Sequence, residues 1–194
     1  MRALQTGAPI GNSGARASEF PVLRITNRHV SAQICLPDTE CGYYRGTRFD
    51  WSGIVRDLRS QGHRYVSEWQ SRHDPLRHDG LTGPADEFTQ IGYEQARPGE
   101  EFLKIGVGTL RKPYDQPYDR FRLYEIVDPG IRDLIAGRDR VEFRHRMLND
   151  DYGYDYRKTL VLTDAPGLRL EYTLKNLGPA PLTGYVYNHN FFTL

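Results

Sequence analysis

The sequence has little cysteine, no excess of one charge and no long apolar run, and each shortage excludes a class of protein. Its 194 residues include two cysteines, which are too few for a disulfide scaffold. We therefore expect Cys35 and Cys41 to be reduced thiols. The 26 basic and 25 acidic side chains leave a net charge of +1, whereas proteins that bind nucleic acids carry a clustered positive excess. No nucleic-acid partner is predicted.

Segments that would direct the chain to or through a membrane are also missing from the sequence. No apolar run approaches the roughly 20 residues of a membrane-spanning helix, and residues 1–30 lack the basic-then-apolar pattern of a signal peptide. These absences predict a soluble, cytoplasmic protein without a membrane partner. His29 and His63, the histidines nearest the cysteines, do not complete a zinc-binding spacing.

Alternating apolar and polar residues, the pattern of half-buried β-strands, recur through most of the chain. The alternation is clearest over residues 168–175. Further strands are predicted at residues 22–26, 30–36, 121–126, 141–146, 154–162 and 182–192, with a turn at 26–29. Residues 128–136 are the one segment that could form a short helix. Strands separated by turns, with almost no helix, predict an all-β fold, namely an antiparallel β-sandwich.

Three segments differ from this alternating pattern. Residues 1–20 are rich in Gly, Ala and Ser, so we expect a frayed lead-in before a domain of residues 21–194. Residues 43–55 combine aromatic side chains with turn-forming glycines, which predicts a bent strand near a site. Residues 71–84 are rich in His, Asp, Gly and Pro, which predicts a long loop of the kind that commonly carries function.

The last predicted strand reads Tyr-Asn-His-Asn-Phe-Phe-Thr-Leu over residues 187–194, after a proline-containing hairpin. This pattern resembles the galactose mutarotase (aldose 1-epimerase) superfamily, in which an Asn-His-x-Tyr-Phe-Asn-Leu strand follows such a hairpin. Four positions match the family pattern, namely Asn188, His189, Phe192 and Leu194. Two positions differ, because Phe191 replaces Tyr and Thr193 replaces Asn. Upstream, residues 45–49 and 78–80 are similar to the Gly-x-Arg-Ile and His-Gly segments of the superfamily.

The resemblance implies a β-sandwich of the mutarotase-like supersandwich type, with a sugar bound in a cleft on one sheet. It also implies that no metal or cofactor takes part and that the partner is a small-molecule sugar. The implied reaction interconverts the α and β anomers of an aldose. In such enzymes the His of the Asn-His pair is the general acid, which corresponds to His189 here, and a Glu far downstream is the base.

The residues after His189 include no carboxylate that could be this base. We therefore expect the sandwich to be incomplete on its C-terminal side and the chain to be part of a longer mutarotase-like protein. Such a fragment would leave residues 182–194 as an unpaired, apolar sheet edge.

Ring opening of an aldose needs one group that removes a proton from the C1 hydroxyl and another that protonates the ring oxygen. Histidine suits the second role, and period-two alternation predicts that Tyr187, His189 and Phe191 share one strand face. Aromatic rings beside a proton donor suit a sugar cleft, because the C–H faces of a pyranose stack on them. A histidine hydrogen-bonded within a sheet is the alternative reading of His189.

Five further residues are candidates for sugar binding. Asn188 belongs to the family motif, and His78 lies in the predicted loop, where it could bond a sugar hydroxyl. Arg48 could clamp a hydroxyl, although a surface pair with Asp50 explains it as well. Glu87 and Lys104 are flanked by apolar residues and could pair across the cleft, or both could lie on a solvated strand face.

Two other functions fit the same architecture. A non-catalytic carbohydrate-binding sandwich would use tyrosines together with Trp51 or Trp69 as walls for the sugar. A lyase-like sandwich that processes polysaccharides would use a neighbouring Tyr/His site. The oligomeric state and the identity of the sugar have no signal in the sequence.

Overall fold

The computed structural model describes residues 20–193, which form fourteen β-strands and contain no helix. In chain order the strands are β1 (Val22–Thr26), β2 (Val30–Cys35), β3 (Ile54–Ser60), β4 (His63–Val66), β5 (Gly83–Phe88), β6 (Gln90–Ile91), β7 (Glu101–Lys104), β8 (Gly108–Arg111), β9 (Glu125–Asp128), β10 (Ile131–Ala136), β11 (Arg140–Leu148), β12 (Gly153–Leu162), β13 (Leu168–Asn176) and β14 (Val186–Phe191). The all-β prediction is confirmed.

The strands form three four-stranded sheets and one strand pair. The sheets follow chain order as β1 to β4, β6 to β9 and β10 to β13, while β14 pairs with β5. All these pairings are antiparallel. Most neighbours are consecutive in the chain, as expected for hairpins, whereas the β5–β14 pair joins distant segments.

Two of the sheets pack against each other through a shared apolar core. The first sheet contributes Ile25, Val30, Ala32, Ile34, Val55 and Val66, and the third contributes Val141, Phe143, Leu160 and Leu162. Burial alternates strictly along the interior of β11, as the sequence pattern of residues 141–146 predicts. The structure is therefore sandwich-like at this interface.

The strands predicted at residues 22–26, 30–36, 141–146, 154–162 and 168–175 correspond to β1, β2, β11, β12 and β13. The turn predicted at residues 26–29 joins β1 to β2. In this turn, Oδ1 of Asn27 accepts hydrogen bonds from the backbone N–H groups of His29 and Val30, both at 2.8 Å. This local bonding is the reason that asparagine suits such turns.

The short helix considered for residues 128–136 is wrong. Asp128 ends β9, and residues 131–136 form β10, which pairs with β11 along six residues. Gly130 makes the turn with a φ of 69°, and a Cβ at this position would come within 2.5 Å of Nε2 of His145. Cross-strand pairing therefore decides the conformation of a segment whose composition alone was ambiguous.

Other predicted strands are shorter than expected. Residues 43–53 form turns and irregular structure rather than a bent strand, and residues 121–124 precede β9 without joining it. The last strand covers residues 186–191 rather than 182–192. The predicted loop ends at Thr82, because Gly83 and Pro84 already belong to β5. The bounds of β5 and β14 coincide with their mutual backbone pairing.

The edge expected at residues 182–194 is paired on one side only, because β14 joins β5 in a two-stranded sheet and no other strand of residues 20–193 pairs with its second side. All six residues of β14 pair with β5, from Val186 opposite Phe88 to Phe191 opposite Gly83. Of the expected lead-in, residues 1–19 lie outside the described residues, and Phe20 packs edge-on against Tyr43 with ring centroids 5.3 Å apart. Within residues 20–193 no helix has the length and apolar character needed to cross a membrane.

His145 on β11 is fully buried. Its Nε2 lies 2.8 Å from the carbonyl oxygen of Pro129, and its Nδ1 lies 3.0 Å from the hydroxyl of Tyr154. Burial, reinforced by the charge of Arg132 and opposed by the bond to Pro129, lowers the pKa of His145 from 6.5 to about 3. The folded state therefore holds a neutral ring that the unfolded chain would protonate in mild acid.

Because the unfolded state binds this proton first, His145 makes the protein less stable as the pH falls below about 6.5. Replacing it by His145→Gln removes that dependence. We expect the difference in free energy of unfolding between wild type and variant to shrink by about 2 kcal/mol between about pH 7 and about pH 5, measured by urea denaturation. The exposed His63 is the control, and His63→Gln should show no such change. If the difference in free energy of unfolding between wild type and His145→Gln were the same at both pH values, a buried neutral ring would be contradicted.

Candidate functional site

The β5–β14 pair has two faces with different chemistry. Tyr187 lies opposite Glu87 and His189 opposite Ala85, whereas Asn188 lies opposite Asp86. Because side chains alternate along a strand, the first two pairs share one face and the third lies on the other. We call these the His189 face and the Asp86 face.

On the His189 face, the carboxylate of Glu87 joins two arginines. Nε of Arg48 is 2.8 Å from Oε2 and Nε of Arg120 is 3.3 Å from Oε1. Glu87 and Arg48 are 4% and 11% exposed, while Arg120 is 40% exposed. The predicted surface pairing of Arg48 with Asp50 is not what the structure has, because Glu87 is the closer partner and Asp50 is buried.

Aromatic rings connect this ion cluster to both predicted histidines. The guanidinium carbon of Arg48 lies 4.5 Å from the ring centroid of Phe49 and 5.3 Å from that of Phe121. His78 packs edge-on against Phe121 at 5.0 Å, and His189 packs edge-on against Phe49 at 6.5 Å. The Arg48 guanidinium therefore lies within cation–π distance of two rings.

His189 is half-buried on β14 and stacks on Phe191, with ring centroids 3.9 Å apart. Tyr187 flanks it at 5.9 Å, and Phe191 in turn stacks on Trp69 at 5.9 Å. These contacts agree with the predicted sharing of one face by Tyr187, His189 and Phe191. Nδ1 of His189 is buried and has no hydrogen-bond partner among residues 20–193, so the alternative of a sheet-bonded histidine does not describe this nitrogen.

Lys104 is close enough to the ion cluster to feel its charges but forms no ion pair with Glu87. It is 1% exposed, and its Nζ donates a hydrogen bond of 2.5 Å to the carbonyl oxygen of Phe88. Burial lowers the pKa of Lys104 to about 8, with Glu87 opposing this shift and Arg120 and Arg48 adding to it. The reading of Glu87 and Lys104 as a solvated strand face is wrong, since both are buried.

Asn188 is the predicted site residue that the structure separates from the others. Its Nδ2 donates a 2.8 Å hydrogen bond to Oδ1 of Asp86 on the opposite face. Asp86 also forms an ion pair with Lys158 at 2.7 Å. The neighbouring residues Asn188 and His189 of the family-like motif therefore lie on opposite faces of β14 and contact different groups.

Several residues of the His189 face were not singled out from the sequence. Phe49 and Phe121 lie in segments that the sequence predicts as strands but that are irregular in the structure, and Arg120 precedes the second segment, so only the three-dimensional structure brings these residues to Arg48 and Glu87. The two tryptophans differ sharply. Trp51 is 1% exposed and donates a 2.8 Å hydrogen bond from Nε1 to the carbonyl oxygen of Gly46, whereas Trp69 is 52% exposed. Only Trp69 is available as a wall for a ligand.

This arrangement provides a half-buried imidazole with an unpartnered nitrogen, a guanidinium held in a fixed orientation, and exposed aromatic rings. Phe121 and Tyr187 are 59% and 43% exposed. Such rings offer stacking surface to a pyranose, and the guanidinium offers fixed hydrogen-bond donors. Within the described part of the chain, no group of three or more His, Cys, Asp or Glu side chains is placed to hold a metal ion. Both cysteines are free thiols, Cys35 buried and Cys41 exposed.

Comparison of the chain with protein-family models, with curated proteins and with solved structures gave no match. The likeness to the mutarotase superfamily therefore remains an expectation based on the residues of the last strand.

The Glu87 cluster is expected to stabilise the fold because its carboxylate is almost fully buried between two guanidinium groups. Glu87→Gln would leave Arg48 facing a neutral amide, which should cost about 3 kcal/mol of unfolding free energy. The exposed pair of Arg169 and Glu171, 2.8 Å apart, provides the control. Glu171→Gln should cost less than about 1 kcal/mol in the same urea titration. Equal losses for the two variants would contradict a special role for the buried cluster.

Proposed function

We propose that the His189 face binds an aldose sugar and that the protein is an isomerase of the aldose 1-epimerase type. The observation that carries this proposal is the sharing of one face by the His189 imidazole, the Arg48–Glu87 pair and exposed aromatic rings. A small-molecule sugar is the ligand class that needs both stacking surface and fixed hydrogen-bond donors.

Anomer exchange needs proton transfer at two oxygens of the sugar. Histidine exchanges protons near neutral pH. Nδ1 of His189 is buried and has no hydrogen-bond partner among residues 20–193, so in this proposal the sugar meets the half-buried imidazole at its other nitrogen, Nε2. In this proposal His189 protonates the ring oxygen as the C1–O bond of the ring breaks, and a water molecule takes the proton that leaves the C1 hydroxyl. Arg48 positions a hydroxyl group, and His78 contacts the sugar from beyond Phe121.

The carboxylate on the same face is already engaged and is poorly suited to act as the base. Glu87 supplies a carboxylate, but two guanidinium groups already occupy it, at 2.8 and 3.3 Å. That observation favours a second candidate function, in which the same face binds a sugar without catalysing anomer exchange. The two candidates share the ligand class and differ only in proton transfer.

Catalysis is tested by polarimetry with α-glucose and α-galactose. If His189 is the proton donor, His189→Ala should lower the catalysed rate by about 100-fold or more, the scale of general acid catalysis. His63→Ala, which changes an exposed histidine on β4, should leave the rate unchanged. Unaltered turnover by His189→Ala would remove the proposed role.

Sugar binding without catalysis is tested by tryptophan fluorescence. The protein has two tryptophans, and only Trp69 is exposed, stacked on Phe191 beside His189. A bound aldose should change the emission of the wild type, and Trp69→Phe should abolish this change while the emission of the buried Trp51 remains. A response that persists in His189→Ala without anomer exchange would identify a binding protein. The absence of any response to sugars would count against both candidates.

A further inference from the structure

The Asp86 face of the β5–β14 pair borders a cavity of about 520 Å³. Its walls come from β3, β5, β13 and β14, and they are mostly apolar. Leu168 and Leu170 form one wall, and Val186 and Phe88 form the other. The volume lies within the range of about 300–1,000 Å³ that is typical of small-molecule sites. This cavity lies on the opposite face of β14 from His189, so it is a separate site from the one proposed above.

The floor of the cavity is polar and firmly held. Asp86, 2% exposed, accepts hydrogen bonds at Oδ1 from Asn188 at 2.8 Å and from the hydroxyl of Tyr172 at 3.3 Å. Its Oδ2 contacts the ammonium group of Lys158 at 2.7 Å. Tyr172 and Asn188 both line the cavity. The Tyr172 oxygen can still accept a hydrogen bond, and the Asn188 amide keeps a second N–H and its carbonyl oxygen.

Charge at this floor is balanced. Lys158, which is 1% exposed, compensates Asp86 and also lies 3.6 Å from Asp50. Burial raises the pKa of Asp50, and the charges of Lys158 and Arg132 both oppose that shift. Two carboxyl groups are therefore matched by two cations. An anionic head group would be repelled by Asp86, and a cationic one would be repelled by Lys158. Neither would find an unpaired opposite charge to bind.

We propose that this cavity binds a neutral amphiphile, a molecule with an apolar body and one hydroxyl head group. The apolar body lies between the β13 and β14 walls, where it loses its contact with water. The hydroxyl reaches the floor, where it donates to Asp86 or Asn188 and accepts from the Asn188 amide. The cavity thus selects by charge at the floor and by apolar area at the walls.

The test uses 1-octanol, octanoate and octylammonium as probes of equal chain length and different charge. Binding is followed by methyl NMR of protein labelled at Leu and Val side chains. We expect saturable shifts at Leu168, Leu170 and Val186 with 1-octanol, and affinities about tenfold lower for both ions. Equal affinities for the three probes would overturn the selection by charge, and the absence of saturable shifts at these methyl groups would overturn the site.

Variants that fill the cavity separate specific binding from general adsorption. Val186→Trp and Leu170→Trp act from opposite walls, so the test survives if one variant fails to fold. Either should abolish the 1-octanol shifts at the methyl groups that remain. Ile135→Trp on β10, at a position 69% exposed and outside the cavity lining, is the matched control and should bind like wild type. Undiminished binding by a folded cavity-filling variant would overturn the proposal.

Discussion

The buried ammonium group of Lys158 is the interaction on which the arrangement of both faces depends. Lys158 lies on β12, yet it contacts Asp86 on β5 at 2.7 Å and Asp50 at 3.6 Å, and it donates to the carbonyl oxygen of Ser52 at 2.9 Å. A buried charge is costly unless it is paired and hydrogen-bonded, so these partners have to be in place together. Lys158 therefore ties the third sheet to β5 and to the segment at residues 50–52.

Fixing Asp86 toward Lys158 also decides where its neighbours lie. Side chains alternate along β5, so Glu87 must face the opposite way, toward Arg48 and Arg120. The same alternation on β14 sends Asn188 to Asp86 and His189 to the aromatic rings. The Lys158–Asp86 ion pair and the alternation of side chains along β5 and β14 thus place the His189 face and the apolar cavity on opposite sides of the strand pair. The two faces share a strand pair without sharing a side chain.

Much of the fold could be predicted from the sequence because most strands pair with their neighbours in the chain. The alternation along β11, β12 and β13 is a local signal, and the Asn27 turn is a local bonding pattern. The site was predicted less completely. Arg48, Glu87, His78 and His189 do meet through direct and ring-mediated contacts. Arg120 and Phe121 were missed because the alternation at residues 121–126 predicts a strand, whereas residues 121–124 are irregular in the structure. The separation of Asn188 from the site follows from period-two alternation and was accessible from the sequence.

The pairing of β5 with β14 has a consequence for the order in which the molecule is built. Asp86 and Asn188 are 102 positions apart in the chain, while hairpins such as β11–β12 close over a few residues. Closing so long a segment is entropically slow compared with forming hairpins. On the ribosome, β5 must therefore wait without its partner until β14 has emerged, and the His189 face comes into existence only at that late moment. Newly made chains are expected to acquire their sheets first and their ligand sites last.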